Sequence, residues 1–367
     1  MATFLLVCFL IISFINILFY IGYFSFANSI NSNPKNVNFP VSVIICAKNE
    51  AENLRQFIPS ILNQDYPNFE IILINDASTD NTLEVMENFA TQDKRVKLVN
   101  VVNNEAFWGK KKYALTLGIK KAKNNHLLFT DADCAPVSDQ WITSMASNFE
   151  NEKTIVLGYG GYFKQQKSFL NLLIRFETLL TAVQYFSYSK WGIPYMGVGR
   201  NLAYSSEEFY NQNGFASHLH IRSGDDDLFV NQAGTSKNTG ICINRDSITR
   251  SVPKSNYKNW FVQKRRHSLT ASNYKFQHKI LLGTFYSSQL IFWCLLVLLL
   301  SLQVYWPMVV GVLALRLLLQ YIVFWKSAKK LDEMDLVWLF PILELFLISS
   351  QFYIFISNIF SKPPHWK

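Results

Sequence analysis

From Thr3 to Phe24 the chain runs 22 residues without a charged side chain. A helix needs about 20 apolar residues to cross the hydrocarbon core of a bilayer, so this stretch either lodges in a membrane or is removed as a leader. The basic residues that precede the apolar part of a leader are missing, and no clear small-residue cleavage site follows. The stretch is therefore expected to remain as an anchor.

The far end repeats the theme. Ile280 to Leu302, Tyr305 to Trp325 and Leu336 to Phe360 are candidate spans, broken near Trp306-Pro307 and by the polar segment Lys326 to Asp335. With half of its 367 residues hydrophobic and thirty of them Phe, the chain is too apolar for an ordinary soluble domain. Arg316 and Glu344 fall inside spans, where ionisable groups are costly and face other helices or a polar cavity. Mutual pairing or snorkelling competes there with a transport or acceptor role. The expected division is an anchor over 1–27, a middle domain over 38–278 and a membrane region of about three helices over 279–361.

Charge gives an orientation. No Lys or Arg precedes the first span, whereas Lys35, Lys48 and a basic middle follow it, which puts the middle domain in the cytoplasm. A second-and-third-span hairpin brings Lys326 to Lys330 to the same side and leaves the tail Lys362 to Lys367 opposite, a conflict with the charge rule that a re-entrant C-terminal segment would remove. The five cysteines are odd in number and scattered, without a Cys-X-X-Cys pair, so neither a disulfide framework nor a zinc site is expected. His218 and His220 lack a third ligand at recognisable spacing, and His126 is read as preceding a strand. No nucleic-acid partner is expected.

Between about Asn38 and His278, short β-branched runs alternate with helix-like segments, the pattern of an α/β domain. Val41 to Cys46 leads into polar Lys48-Asn49-Glu50. Glu70 to Ile74 ends at Asn75-Asp76, and Leu127 to Thr130 ends in Asp131-Ala132-Asp133. Ligands of open α/β sheets bind at the carboxyl ends of strands, so these three ends should converge. Two carboxylates one residue apart at such an end can hold a divalent cation against a diphosphate. Asp-X-Asp alone is a weak signal that usually marks a solvated turn. For Asp76 to Asp80, an Asx turn capping the helix near Thr82 is a coexisting reading. Gly109-Lys110 is not a P-loop, because its second glycine and following Ser or Thr are absent. Lys110, Lys111 and Lys112 read either as a positive field for phosphate or as a solvated helix face. In Asp225-Asp226-Asp227, mutual repulsion makes at least one carboxylate hard to ionise, which suits a general base. The alternative is acidic support for a helix N-terminus.

Val43 to Glu50, Asn75 to Asp80, Lys111 to Gly118, Thr130 to Asp133 and Gly224 to Leu228 occur in an order that resembles the membrane-anchored family-2 glycosyltransferases. The resemblance covers roughly residues 40–270. It implies a GT-A fold, the Rossmann-like nucleotide-diphospho-sugar transferase architecture, flanked by N- and C-terminal transmembrane helices. Asp76 then matches the nucleoside-recognising aspartate, with Asn75 where the family commonly has Asp, and Lys111 matches a lysine near the nucleotide. Asp131 and Asp133 match the metal-binding pair, with Asp131 also toward the nucleotide. The catalytic acidic pair falls on Asp225 and Asp226, with Asp226 as general base and Asp225 and Asp227 in support. Gln263 and Arg266 resemble part of a Gln-X-X-Arg-Trp motif, with His267 in place of Trp. They are candidates to cradle the diphosphate or acceptor, as a guanidinium can, or to meet anionic lipid headgroups. The segment Gly197 to Tyr204 falls near the acceptor, making Arg200 and Asn201 acceptor-side candidates. Phe169, Leu172, Leu173, Phe176 and Leu180 share helical spacing, as an interfacial or a buried helix requires.

The implied activity is inverting transfer from a UDP- or GDP-sugar, with Mg²⁺ or Mn²⁺, to a lipid or lipid-linked acceptor at the cytoplasmic face of a bacterial plasma membrane, as part of cell-envelope synthesis. A processive polysaccharide synthase is the enzymatic alternative, and a non-catalytic membrane scaffold the distant one.

Overall fold

A computed structural model describes residues 2–30, 37–102, 110–150, 152–221 and 223–361. The readings on Lys35, Gly109, the Lys110 side chain and the tail Lys362 to Lys367 lie outside the described residues. The strands are β1 (Val41–Ala47), β2 (Phe69–Asp76), β3 (Val96–Val101), β4 (His126–Asp131), β5 (Cys134–Pro136), β6 (Ile155–Leu157), β7 (Gly160–Tyr162), β8 (Leu202–Ser205), β9 (Thr239–Ile241) and β10 (Thr249–Ser251). The helices are α1 (Ala2–Ala27), α2 (Ala51–Leu62), α3 (Thr82–Gln92), α4 (Lys110–Lys121), α5 (Trp141–Ala146), α6 (Phe169–Lys190), α7 (Ser206–Asn211), α8 (Asp227–Ala233), α9 (Tyr257–Thr270), α10 (Phe276–Ser301), α11 (Trp306–Leu331) and α12 (Phe340–Phe360).

Two units result, residues 31–171 with 188–260, and residues 1–30 with 172–187 and 261–367. Residues 172–187 and 261–278, expected within the 38–278 domain, thus cluster with the terminal helices.

The first unit is built on a sheet of order β3-β2-β1-β4-β8-β6-β9. β1 pairs in parallel with β2 and β4, and β2 with β3, whereas β8 runs antiparallel to β4 and β6. Strands covered on both faces need apolar side chains throughout rather than alternation, which is why Val43-Ile44-Ile45 and Ile71-Ile72-Leu73-Ile74 are each 1% exposed or less. On one face Leu54, Ile58 and Ile61 of α2, at helical spacing, join Val43, Ile45 and Leu73 in the core. Strand order reverses at β1: β2 and β3 lie to one side, β4 to the other. That switch point opens a crevice at the carboxyl ends of the strands. A three-stranded sheet, β5-β10-β7, continues from the end of β4.

Among its described residues the second unit contains four helical segments long and apolar enough to cross a membrane, Ala2–Ala27, Phe276–Ser301, Trp306–Leu331 and Met334–Phe360. A buried polar network links all four. The Arg316 guanidinium donates to Glu344 (2.8 and 3.2 Å), to Asn16 Oδ1 (2.7 Å) and to Gln320 Oε1 (3.0 Å). Gln289 donates to Glu344 Oε1 (2.9 Å), and Asn16 to Ser288 Oγ (3.0 Å). Of the two readings for Arg316 and Glu344, the geometry is that of mutual pairing. In residues 172–187 of α6, Phe176 stacks 5.8 Å from Phe324 and meets Phe340 edge-on at 5.4 Å. With Leu173 and Leu180 also buried, this is the buried helix rather than the interfacial one. Arg175 holds the helix in place through Asp335 (2.7 Å) and Glu333 (2.8 Å).

Candidate active site

The crevice is lined by two acidic strand ends, those of β2 and β4, and by the starts of α4 and α8. Asp131 stands in register with Cys46, and Asn75 with Ala47, so β1, β2 and β4 deliver their last residues to one edge. Beyond β4, Asp133 accepts from Ser251 Oγ at 2.9 Å, while its backbone carbonyl accepts from Val252 N at 3.2 Å. The β10 segment therefore fixes the second carboxylate. Burial, then the neighbouring Asp131 charge, raises the Asp133 pKa.

Lys111, on the first turn of α4, joins the two acidic motifs. Its Nζ lies 3.1 Å from Asp131 Oδ1 and 3.0 Å from Asp225 Oδ2. Burial acts to lower the pKa of this ammonium, but the two carboxylates outweigh it and hold the pKa well above the usual value. Burial likewise opposes ionisation of Asp225, yet Lys111 wins and lowers its pKa.

Asp226 is different. It is the N-cap of α8, with Oδ1 accepting from Asp227 N (2.8 Å) and Oδ2 from Gly199 N (2.7 Å). Burial, followed by repulsion from Asp225 and Asp227, pushes it up to about 7. A side chain on Gly199 would bring its Cβ to 3.3 Å from that Oδ2, tight enough that the carboxylate would have to give by a few tenths of an ångström. The cap role and a base's pKa coincide in this one residue, so the two readings of the acidic triplet do not exclude each other. Beneath Lys111, Asp131, Asp225 and Asp226 lies a cavity of about 20 Å³, bordered by Cys46 and Tyr204, enough for about one water.

Ligand atoms of Asp131, Asp133 and Cys134 lie within 4.8 Å of one another. Two carboxylates suit Mg²⁺ or Mn²⁺. The Cys134 thiol does not, because burial raises its pKa far above the ordinary value and keeps it protonated. The donor chemistry thus fits a hard cation on the aspartates.

Other sequence candidates sort as follows. Asp76 closes β2 at the crevice and is 8% exposed. Asn75 is taken up by the turn, donating to Asn100 Oδ1 (2.8 Å) and accepting from Ser78 N (3.1 Å). The Asx turn before α3 belongs to Asp80, which accepts from Thr82 N at 3.0 Å. Lys112 is fully buried and spends its hydrogen bonds on the carbonyls of His218 (2.8 Å) and Ile221 (3.0 Å), although its charge still acts on Asp225 and Asp226. Burial lowers its pKa to about 8. His218 is buried, and that burial pushes it down to about 4. Asn201 is also unavailable to an acceptor, since its amide donates to Tyr159 O (2.9 Å) and Ser247 O (2.6 Å) and accepts from Trp141 Nε1 (3.1 Å). Gln263 and Arg266 lie on α9 in the other unit. The sequence reading put Glu50 at a strand end facing the crevice but gave it no role. Burial raises its pKa, and the charges of Asp133 and Asp131 act in the same direction, which places it in the same electrostatic neighbourhood.

A doubly wound sheet with carboxylates gathered at its switch point is the GT-A-like architecture, and residues 42–207 match the family described as Glycosyl transferase family 2. The chain carries a glycosyl transferase family 2 domain. An uncharacterized glycosyltransferase of Haemophilus influenzae is 35% identical over 127 residues, 34% of this chain and 48% of the relative. The Escherichia coli UDP-Glc:alpha-D-GlcNAc-diphosphoundecaprenol beta-1,3-glucosyltransferase WfaP is 29% identical over 126 residues, 34% of this chain and 46% of that protein. The chain spans about half the length of these curated relatives. Among solved structures, the mannosyltransferase PcManGT from Pyrobaculum calidifontis, in complex with GDP-Man and Mn²⁺, has a similar fold. Its TM-score is 0.62 at 18% identity, covering 98% of this chain and 99% of that one.

Proposed function

We propose that the protein is an inverting glycosyltransferase that moves a sugar from a nucleoside diphosphate to a lipid or lipid-linked acceptor at the cytoplasmic membrane surface. The observation that carries this is the Lys111 ammonium bridging Asp131 and Asp225 at the switch point, with Asp226 raised to about 7 beside them. Asp131 and Asp133 would hold Mg²⁺ or Mn²⁺, which when bound neutralises diphosphate charge. Asp76 accepts a hydrogen bond from the nucleoside, and Lys111 releases its carboxylate contacts to meet phosphate. Each oxygen of Asp226 already accepts one backbone N–H and keeps a second lone pair. From there it takes the proton of the acceptor hydroxyl. The new C–O bond forms at the anomeric carbon as the bond to the diphosphate breaks on the opposite face, so configuration inverts and the nucleoside diphosphate leaves. The name of the E. coli relative, a glucosyltransferase acting on a diphosphoundecaprenol-linked sugar, supports the acceptor class. Gln263 and Arg266 are kept as candidates for the diphosphate or acceptor.

The test is nucleoside diphosphate release by the full chain in bilayer mimics across UDP- and GDP-sugars, with and without Mn²⁺ or Mg²⁺, beside Asp226→Asn. Metal-dependent release from one donor, reduced by about 10²- to 10⁴-fold in the variant, is expected. A product that retains the donor's anomeric configuration by NMR would sink the mechanism.

A further inference from the structure

The Arg200 backbone is fixed between the acidic motifs: the carbonyl accepts from Thr130 Oγ1 (3.1 Å), one residue before Asp131, and from Thr249 Oγ1 (2.8 Å). Ser251, which holds Asp133, lies two residues past Thr249 on the same strand. The preceding residue, Gly199, gives its N–H to Asp226. Arg200 is thus tied to the strand ends that carry the candidate metal pair and, through its neighbour, to the candidate base.

The side chain is equally constrained. The guanidinium lies 4.1 Å over the Tyr162 ring and donates from Nη1 to Gly161 O at 3.1 Å. Gly160 leaves it room, since a Cβ there would come within 2.8 Å of Arg200 Cβ. A guanidinium has five N–H donors, and that single bond is the only one made to a described residue. Nor does any described carboxylate form an ion pair with it, although the Asp131 and Asp133 charges act on it. A stacked, partly buried arginine with four of its five donors not taken by described residues is arranged for a planar, bidentate anion.

We propose that Arg200 is a binding residue for phosphate oxygens in this crevice, beyond the acceptor-side position its motif implies. The inference rests on the transferase reading only for the source of the phosphate, which is the donor's diphosphate or the phosphate of a lipid acceptor. Stacking on Tyr162 holds the fork rigid, so little side-chain freedom is lost on binding. Lysine cannot reproduce the two parallel bonds.

Calorimetry on the full chain in micelles, with Arg200→Gln and Arg200→Lys, tests this with UDP, GDP and a short prenyl phosphate as separate ligands. Charge-assisted hydrogen bonds of about 1.5–3 kcal/mol correspond to roughly tenfold to hundredfold weaker binding. Loss confined to the nucleoside diphosphates assigns the donor, and loss confined to the prenyl phosphate assigns the acceptor. Either outcome supports the proposal, with Arg200→Lys recovering only part of the affinity. Unchanged affinity for all three ligands in Arg200→Gln overturns it. So does a lowered thermal midpoint with affinities intact, which would make the arginine structural. A wild-type protein that binds these ligands yet transfers no sugar refutes the transferase reading and leaves the Arg200 result standing.

Discussion

In the unit of apolar helices, Arg316 and Glu344 neutralise one another, and glutamine and asparagine side chains take up most of their remaining hydrogen-bonding capacity. At the crevice, Asp76, Asp131, Asp133, Asp225 and Asp226 stand with Lys111 and Arg200, five carboxylates to two cations. Both clusters bury charge, but the first closes on itself and the second leaves negative charge over. A closed network needs nothing further and serves to hold helices in register. An open one is completed by ligands that bring charge of their own, such as a metal ion with a diphosphate. Charge balance therefore separates structural from functional polarity here better than burial does.

The largest effect should come from unbalancing the closed network. Arg316→Met strands Glu344 without its counter-ion and is expected to cost about 3–5 kcal/mol, read by unfolding in mixed micelles. Arg316→Met with Glu344→Leu removes both charges and should recover most of that loss. If the double variant is no better than the single one, the network is not a self-contained pair.

The open cluster should respond to pH instead. Asp226 must be ionised to act as base and sits at about 7, so kcat/KM is expected to climb about tenfold per pH unit up to neutrality and then level. The sign for stability is opposite. A carboxyl near 3.9 when unfolded and raised when folded binds more protons in the native state, so stability falls as pH rises from about 4 to 7. Asp226→Asn should abolish that slope along with the activity, as thermal melts across this range would reveal.

Lys112 supplies the smallest effect and the sharpest contrast with its neighbour. Its partners are two carbonyls, so Lys112→Met leaves them unsatisfied and should cost about 1–3 kcal/mol. Nucleoside diphosphate affinity should stay close to wild type, whereas Lys111→Met should weaken it. Equal losses of affinity would mean that both lysines serve the crevice.

Periodicity and charge count made much of this legible beforehand. The apolar run of α1 and the doubly buried β1 and β2 follow from composition over a few residues, because covering both faces of an element forbids polar side chains. Asp131 and Asp133 were readable from their place at a strand end. Lys111 and Lys112 were not separable, since adjacent residues on a helix point about 100° apart and only the surroundings decide which one meets carboxylates. Asn201 beside Arg200 repeats the case: one amide is consumed by three bonds inside the fold, and its neighbour's guanidinium is left largely unused.

What the sequence determined by itself is local: which segments are apolar enough for a membrane or a sheet interior, and where carboxylates end a strand. Tertiary structure alone decided the partnerships. It joined Asp225 to Asp131 through Lys111, seated Asp226 against Gly199, and closed Arg316 on Glu344 across 28 positions of sequence. Charges act through space with an energy set by distance and burial, and neither quantity exists until the chain has folded.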